Sequence, residues 1–219
     1  LTGANTYTGT TTITSGTLQL GSGGSLSSST GLSMGGTSAT LDLYGNSQSF
    51  ASIAGSNVGD IILNSKATTT STLTDTGGTT SFVGLIKDNG GTGGTVALTV
   101  NGATLTLTGA NTYTGTTTIT SGTLKLGNTS GTTLPTSAVI SMGGGTLDLD
   151  GYNQTIASVN DTAGTNYITN SVTSTVALTI SGSAPGTFGG VIQNGGSGKV
   201  IGLTLNSSGT VSYTHLRAH

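Results

Sequence analysis

The chain of 219 residues contains no cysteine, no tryptophan and no glutamate, only two prolines, and 5% charged residues. Without cysteine there are no disulfides, which suits a protein that crosses membranes unfolded and would be obstructed by a premature cross-link. Five basic residues against seven acidic ones, all scattered, leave no basic patch, and nucleic acid is excluded as a partner. No apolar run approaches 18 residues, so no segment reads as a membrane-spanning helix. Strong helix formers are scarce, and no stretch of a dozen residues carries helical periodicity. Low charge alone would suggest disorder, but regular apolar alternation supplies a core. Leu1 opens in mid-motif, with neither an initiator Met nor a signal peptide, as expected of a fragment.

What the chain has is glycine, threonine, serine and a long internal repeat. Residues 1–21 read LTGANTYTGTTTITSGTLQLG, and residues 107–127 repeat them with one change, Gln19 to Lys125, at an offset of 106. The correspondence continues through Leu41-Asp42-Leu43 with Leu147-Asp148-Leu149, Gln48 with Gln154, Asn64-Ser65 with Asn170-Ser171, and 82–86 with 188–192. Where the copies differ at apolar positions, one apolar residue replaces another: Phe50 by Ile156, Ile53 by Val159, Leu85 by Val191. A packed interior tolerates such exchanges. Between inward Leu18 and Leu20, by contrast, Gln19 becomes Lys125, which requires that position to face water. This period-two pattern marks half-buried strands at 12–14, 17–20, 41–43 and 105–107.

Short strands separated by Gly, Asn and Ser punctuation suit a sandwich or a solenoid, but only a solenoid is made of tandem near-identical units. At roughly 20–25 residues per coil, each unit holds about five coils and the chain about ten, a rod of ~45–50 Å. The predicted fold is therefore all-β, a right-handed parallel β-helix (β-solenoid) of two super-repeats, 1–106 and 107–212, with handedness taken from the crossover rule. Corners are expected at Asn5, Gly9, Gly16, Asn111, Gly115 and Gly122, residues that accept positive φ.

The string at 1–21 and again at 107–127 resembles the autotransporter-associated β-strand repeat, also called the passenger-associated transport repeat, and 188–198 is similar to the segment that precedes it in that family. With the intervening coils the resemblance extends over nearly the whole chain. It implies the passenger domain of a type V secreted protein of Gram-negative bacteria, a β-helix displayed at the cell surface, anchored to the outer membrane or released. The implied partner is a C-terminal outer-membrane translocator barrel of the same polypeptide, and the implied role a stalk that promotes secretion. The family motif brings no catalytic residues. Direct adhesion to a host or glycan surface, the scaffold of an enzyme and an ice-binding solenoid are the alternatives.

Candidate sites are few. Asp148 and Asp150 lie two apart on one predicted strand face and could act as paired carboxylates. The first copy has Asp42 and Tyr44 there, and no lysine is near in sequence, so they read as solvated outward residues. Gly90–Thr95 and Gly195–Val200 are similar to a calcium-binding nonapeptide but lack its Asp. Gly198-Lys199 lacks the Ser/Thr and first Gly of a phosphate loop. Outward threonines at 12 and 14 and at 104, 106 and 108 could form ice-binding ladders, and equally serve as outward β-residues. Tyr7 and Tyr113 occupy equivalent turns, where packing over a corner is expected. Asn128 and Asn206 begin nominal glycosylation sequons without meaning in a bacterial chain. From Tyr213 to His219 the repeat collapses, and this tail, with His215, Arg217 and His219, reads as non-native. The expectation is no catalytic, cofactor-binding or metal-binding residue, and no enzyme activity.

Overall fold

The computed structural model describes residues 1–127, 133–161, 165–183, 186–208 and 211–213. Among these there are strands and turns and no helix, and every strand ladder is parallel. The chain winds as a β-solenoid whose rungs stack into three ladders.

The first ladder runs through Thr11–Ile13, Gly31–Met34, Ser52–Gly55 and Thr79–Phe82. It continues through 104–107, 123–126, Thr146–Asp148, Tyr167–Thr169 and Val191–Ile192. These nine strands make eight steps, so the solenoid has about eight turns where the length of the repeat predicts about ten. At ~4.8 Å per rung the stack is ~38 Å long. The second ladder contains Gln48–Phe50, Thr70–Asp75, 95–100, 117–119, Val139–Met142 and Ser158–Asp161, with Gly186–Phe188 and Val211–Tyr213 packed beyond. The third begins with Gly16–Gln19, Ala39–Asp42, Ile61–Leu63 and Leu85–Ile86. It passes through the bonds of Thr112 N–H to Ile86 C=O and Asn111 N–H to Thr133 C=O, and ends in Gln154–Ile156, Thr175–Ile180 and Val200–Leu205.

Rung length explains the miscount. Leu126 lies opposite Leu107, 19 residues on, whereas Phe82 lies opposite Gly55, 27 residues on. One sequence unit therefore does not close on a whole number of turns. Thr11–Ile13 belongs to the first ladder, and its copy 117–119 belongs to the second. The unit advances four turns and two of the three faces, not five full coils.

The interior follows the alternation. Leu20, Leu41, Phe50, Leu105, Leu124 and Leu147 are fully buried, while Leu18 on the first rung is partly buried. Phe50/Ile156 and Ile53/Val159 are core pairs, but Leu85 and Val191 are only half-buried and alternate with inward Ile86 and Ile192. Only Gly16 and Gly122 of the expected corner residues use positive φ, 73° and 82°. Gly115 is needed for another reason: a Cβ there would sit 2.4 Å from the Val96 carbonyl oxygen. Asn111 holds its corner through its side chain, accepting from Ile86 N–H at 2.8 Å and donating to Thr133 C=O at 2.9 Å.

Candidate functional site at the acidic corner

Asp148 ends its strand, and Asp150 lies beyond it in the following turn, at φ 46°. The two carboxylates therefore do not share a strand face. Tyr44, the equivalent residue of the first copy, has the same left-handed conformation at φ 45°. Such a conformation is strained for a non-glycine residue and persists where its surroundings hold it. The holder is the preceding aspartate. Asp148 Oδ1 accepts from Asp150 N–H at 3.0 Å and from Ser171 N–H, one rung away, at 2.9 Å. In the first copy Asp42 Oδ1 accepts from Tyr44 N–H and Ser65 N–H, both at 3.0 Å.

Asp148 is 5% exposed, which corrects the expectation of a solvated outward carboxylate there, Asp150 is partly exposed, and Asp42 of the first copy is buried like Asp148 at 4%. Asp148 and Asp42 are buried because each closes a turn and ties two rungs together, satisfying backbone donors that burial would otherwise leave unpaired. Burial alone would raise the Asp42 pKa. Hydrogen bonds from the Gln19 and Ser65 side chains and the Ser65 and Tyr44 amides outweigh it, holding the carboxyl below its usual value.

A cation does reach this corner, from the rung below rather than from neighbouring sequence. Lys125 Nζ lies 3.0 Å from Asp150 Oδ1 and 3.8 Å from Asp148 Oδ2. Gln19 occupies the same place in the first copy, donating to Asp42 Oδ2 at 2.7 Å. The exchange of Gln19 for Lys125 is thus accompanied by Tyr44 becoming Asp150, so a corner with one carboxylate becomes one with two carboxylates and a lysine. Ser171 Oγ donates to Asp150 Oδ1 at 2.8 Å. With Lys125 and Ser171 bound to it, Asp150 is committed to the corner, and Asp148 to the amides. Neither is placed as a general acid or base facing an open cleft.

Asp88 stands at the head of the first glycine-rich loop. It accepts from Val96 N–H at 2.8 Å and from Thr114 N–H and Oγ1 at 3.0 and 2.6 Å. The second loop uses Asn194, which accepts from Ile201 N–H at 3.0 Å. Both residues close a loop onto the strand that follows. The column outward of Thr106 runs Ser81, Thr106, Lys125, Asp148, Thr169, so charge interrupts the threonine ladder. Tyr113 is fully buried with its Oη 2.7 Å from Thr117 Oγ1, and Tyr7 makes the same 2.7 Å contact to Thr11 Oγ1 while 43% exposed. An open groove lined by Val58, Val83, Leu85, Thr108 and Ala110 contains no titratable side chain. Asn128, His215, Arg217 and His219 lie outside the described residues.

The feature that the alternation does not reveal is inside. Asp75 is fully buried at the end of Thr70–Asp75, and its copy, Ile180, is apolar. Aligning the copies at an offset of 105, rather than 106, would have found it.

The passenger-associated-transport-repeat family matches residues 1–20 and 98–126. No curated protein and no solved structure matches the chain. The matched segments contain the first corner in each copy and, in the second, the rung on which that corner stacks. The two near-identical motifs of this β-solenoid thus lie in the segments that match the passenger-associated-transport-repeat, an autotransporter passenger repeat family.

Proposed function

We propose that this chain is a non-enzymatic stalk segment of an autotransporter passenger, a spacer that sets distance from the outer membrane and supports secretion. The observation that carries this reading is the repeated family motif, whose Gln19 and Lys125 join polar side chains of the following rungs in holding the stack together. Gln19, Asp42 and Ser65, and in the copy Lys125, Asp148 and Ser171, bind each other and the backbone across successive rungs. Such a ladder stiffens a rod. Display at the bacterial surface and linkage to a C-terminal translocator belong to the same proposal.

Deleting residues 1–106 within the parent protein tests it. In a solenoid, stability is approximately a sum over rungs and their interfaces, so joining the preceding chain to Leu107 keeps each interface of its old type. The deletion protein should be secreted, folded and shorter by about four and two-thirds rungs, or ~22 Å. A 95-residue deletion misplaces the corners and should be poorly displayed and protease-sensitive. Loss of a specific binding or catalytic activity with normal display of the 106-residue deletion would overturn the spacer reading and favour an adhesin or enzyme.

A further inference from the structure

One rung of the first super-repeat carries a carboxylic acid in its apolar interior. Asp75 lies opposite Phe50 on the rung below and Val100 on the rung above, and Val100 in turn faces Ile119. Its side chain is fully buried, and neither carboxyl oxygen has a hydrogen-bond partner. Thr80 Oγ1, close by, is also buried without a partner, as is Ser71 Oγ on the same strand. The equivalent strand of the second super-repeat, Thr175–Ile180, has Val176 and Ile180 at these places, both buried in the core. The fold thus needs no carboxyl here, and in the first copy two apolar positions of one strand have become polar.

Nothing around Asp75 neutralises an ionised carboxylate. The segments packed about it are Gln48–Phe50, Ser52–Gly55, Thr79–Phe82 and Thr95–Leu107, and none contains a titratable residue. The ion pairs of Lys125 with Asp148 and Asp150 lie on a different face. Burial pushes the Asp75 pKa up to about 6. The Gly77 amide, the Thr80 hydroxyl and the Ile53 amide offset part of that rise without reaching good hydrogen-bond geometry. A neutral carboxyl can stay inside and donate its proton to Thr80 Oγ1, whereas a carboxylate must draw in water or leave.

We propose that the rung formed by residues 70–82 is an acid-tightened joint, closed while Asp75 is neutral and opening locally when Asp75 ionises. In a solenoid each rung contacts only its neighbours, so the opening is confined to this rung and those that pack on it. The sign follows from linkage. Between the ordinary aspartate value of 3.8 and about 6, the closed rung holds a proton that the open rung has lost. Stability of the closed form is therefore highest below pH ~4, falls as pH rises through that window, and stays low above it. The shift corresponds to an opening equilibrium on the order of a hundredfold larger at neutral pH than in acid.

Amide hydrogen exchange on the full chain at pH 4.5 and 7.5, corrected for the intrinsic pH dependence of exchange, reads this directly. Strands Thr70–Asp75 and Thr79–Phe82 should lose protection by tenfold to a hundredfold at the higher pH, while Thr175–Ile180 in the second copy keeps its own. Asp75→Ile, which copies Ile180, should abolish the difference. Asp75→Asn, which keeps the shape of the neutral acid, should abolish it too and serves as the reading if the isoleucine is badly packed. Equal corrected protection of 70–82 in the wild type at both pH values would overturn the proposal. So would a pH dependence that survives in either variant.

Discussion

Tyr7 and Tyr113 sit in identical sequence, each with its hydroxyl 2.7 Å from the threonine four residues on, yet one is 43% exposed and the other fully buried. The difference is the rung beneath. Tyr113 and Thr117 pack on the coil that contains Thr95–Leu107, and that burial raises the Tyr113 pKa well above the usual tyrosine range. Tyr113→Phe leaves the fully buried Thr117 hydroxyl without a partner, at a cost of about 1–3 kcal/mol. Tyr7→Phe leaves Thr11, at 9% exposure, with water in reach, so the cost should be ~0.5 kcal/mol or less. Truncation widens the gap: Tyr113→Ala should cost about 3–5 kcal/mol, and Tyr7→Ala ~1–2 kcal/mol. Denaturant titrations followed by far-ultraviolet circular dichroism measure the midpoints. Hydrogen exchange of Thr117–Leu126 and Thr11–Ile13 localises the loss, which matters because a stack of rungs need not unfold in one step. Equal losses at the two sites would refute this and mean that local sequence, not stacking, sets the energy.

Three further outcomes are expected from the same kind of internal comparison. Leu124→Asp places a charge at a fully buried position and should unfold its rung at a cost of at least ~4 kcal/mol, whereas Gln19→Lys, facing Asp42 as Lys125 faces Asp148, should stay within ~0.5 kcal/mol in thermal melts. Gly122→Ala should be much worse than Gly16→Ala. Both have positive φ, worth ~1 kcal/mol, but only at Gly122 would a Cβ meet a neighbour, the Ala103 carbonyl oxygen at 2.2 Å. Gln154→Leu removes the acceptor of the Thr133 and Leu134 amides, both at 3.1 Å, and the donor to Leu134 C=O, so denaturation midpoints should fall by the equivalent of about 2–4 kcal/mol.

Comparing two copies of a strand marked the inward positions in most places: Leu41 and Leu147, Phe50 and Ile156, Ile53 and Val159 are all core pairs, whereas Leu85 and Val191 are half-buried. Alternation reports which face a residue takes along its own strand, and that much is local. It does not report what the next rung brings. Asp148 reads as outward because it follows inward Leu147, but Ser171, 23 residues later, covers it. Lys125, 23 residues earlier, reaches it from the other side. Turn count escaped for a related reason. The period of the sequence is 106, whereas the period of the solenoid is set by loops that vary from rung to rung, and loop residues carry no apolar signal. Asp75 was hidden by a one-residue change of offset between the copies, which broke the visual match with Ile180 just where it was informative.

That mismatch between sequence period and solenoid period bears on function. A unit of five whole turns would stack every copy of the motif on one face, making a side of the rod on which the same outward groups recur. A unit of four turns and two faces sends each copy to a different face, so Gln19 points from the third ladder and Lys125 from the first. A rod that presents no privileged side suits a spacer better than a one-sided array of binding sites. The winding can be tested simply because the chain has no cysteine. Thr99 and Thr118 are outward partners on adjacent rungs, as are Thr106 and Lys125. A disulfide requires Cα atoms ~4.4–6.8 Å apart, and the spacing of neighbouring parallel strands, ~4.8 Å, falls within it. Winding in five equal turns would make each rung of the 106-residue unit about 21 residues long and set Thr118 above Ala97 instead. Cysteines at 99 and 118 should therefore cross-link under mild oxidation, those at 106 and 125 likewise, and those at 97 and 118 should not. Efficient cross-linking of the 97 and 118 pair, with none at 99 and 118, would restore the integral winding and with it a rod that has one repeating side.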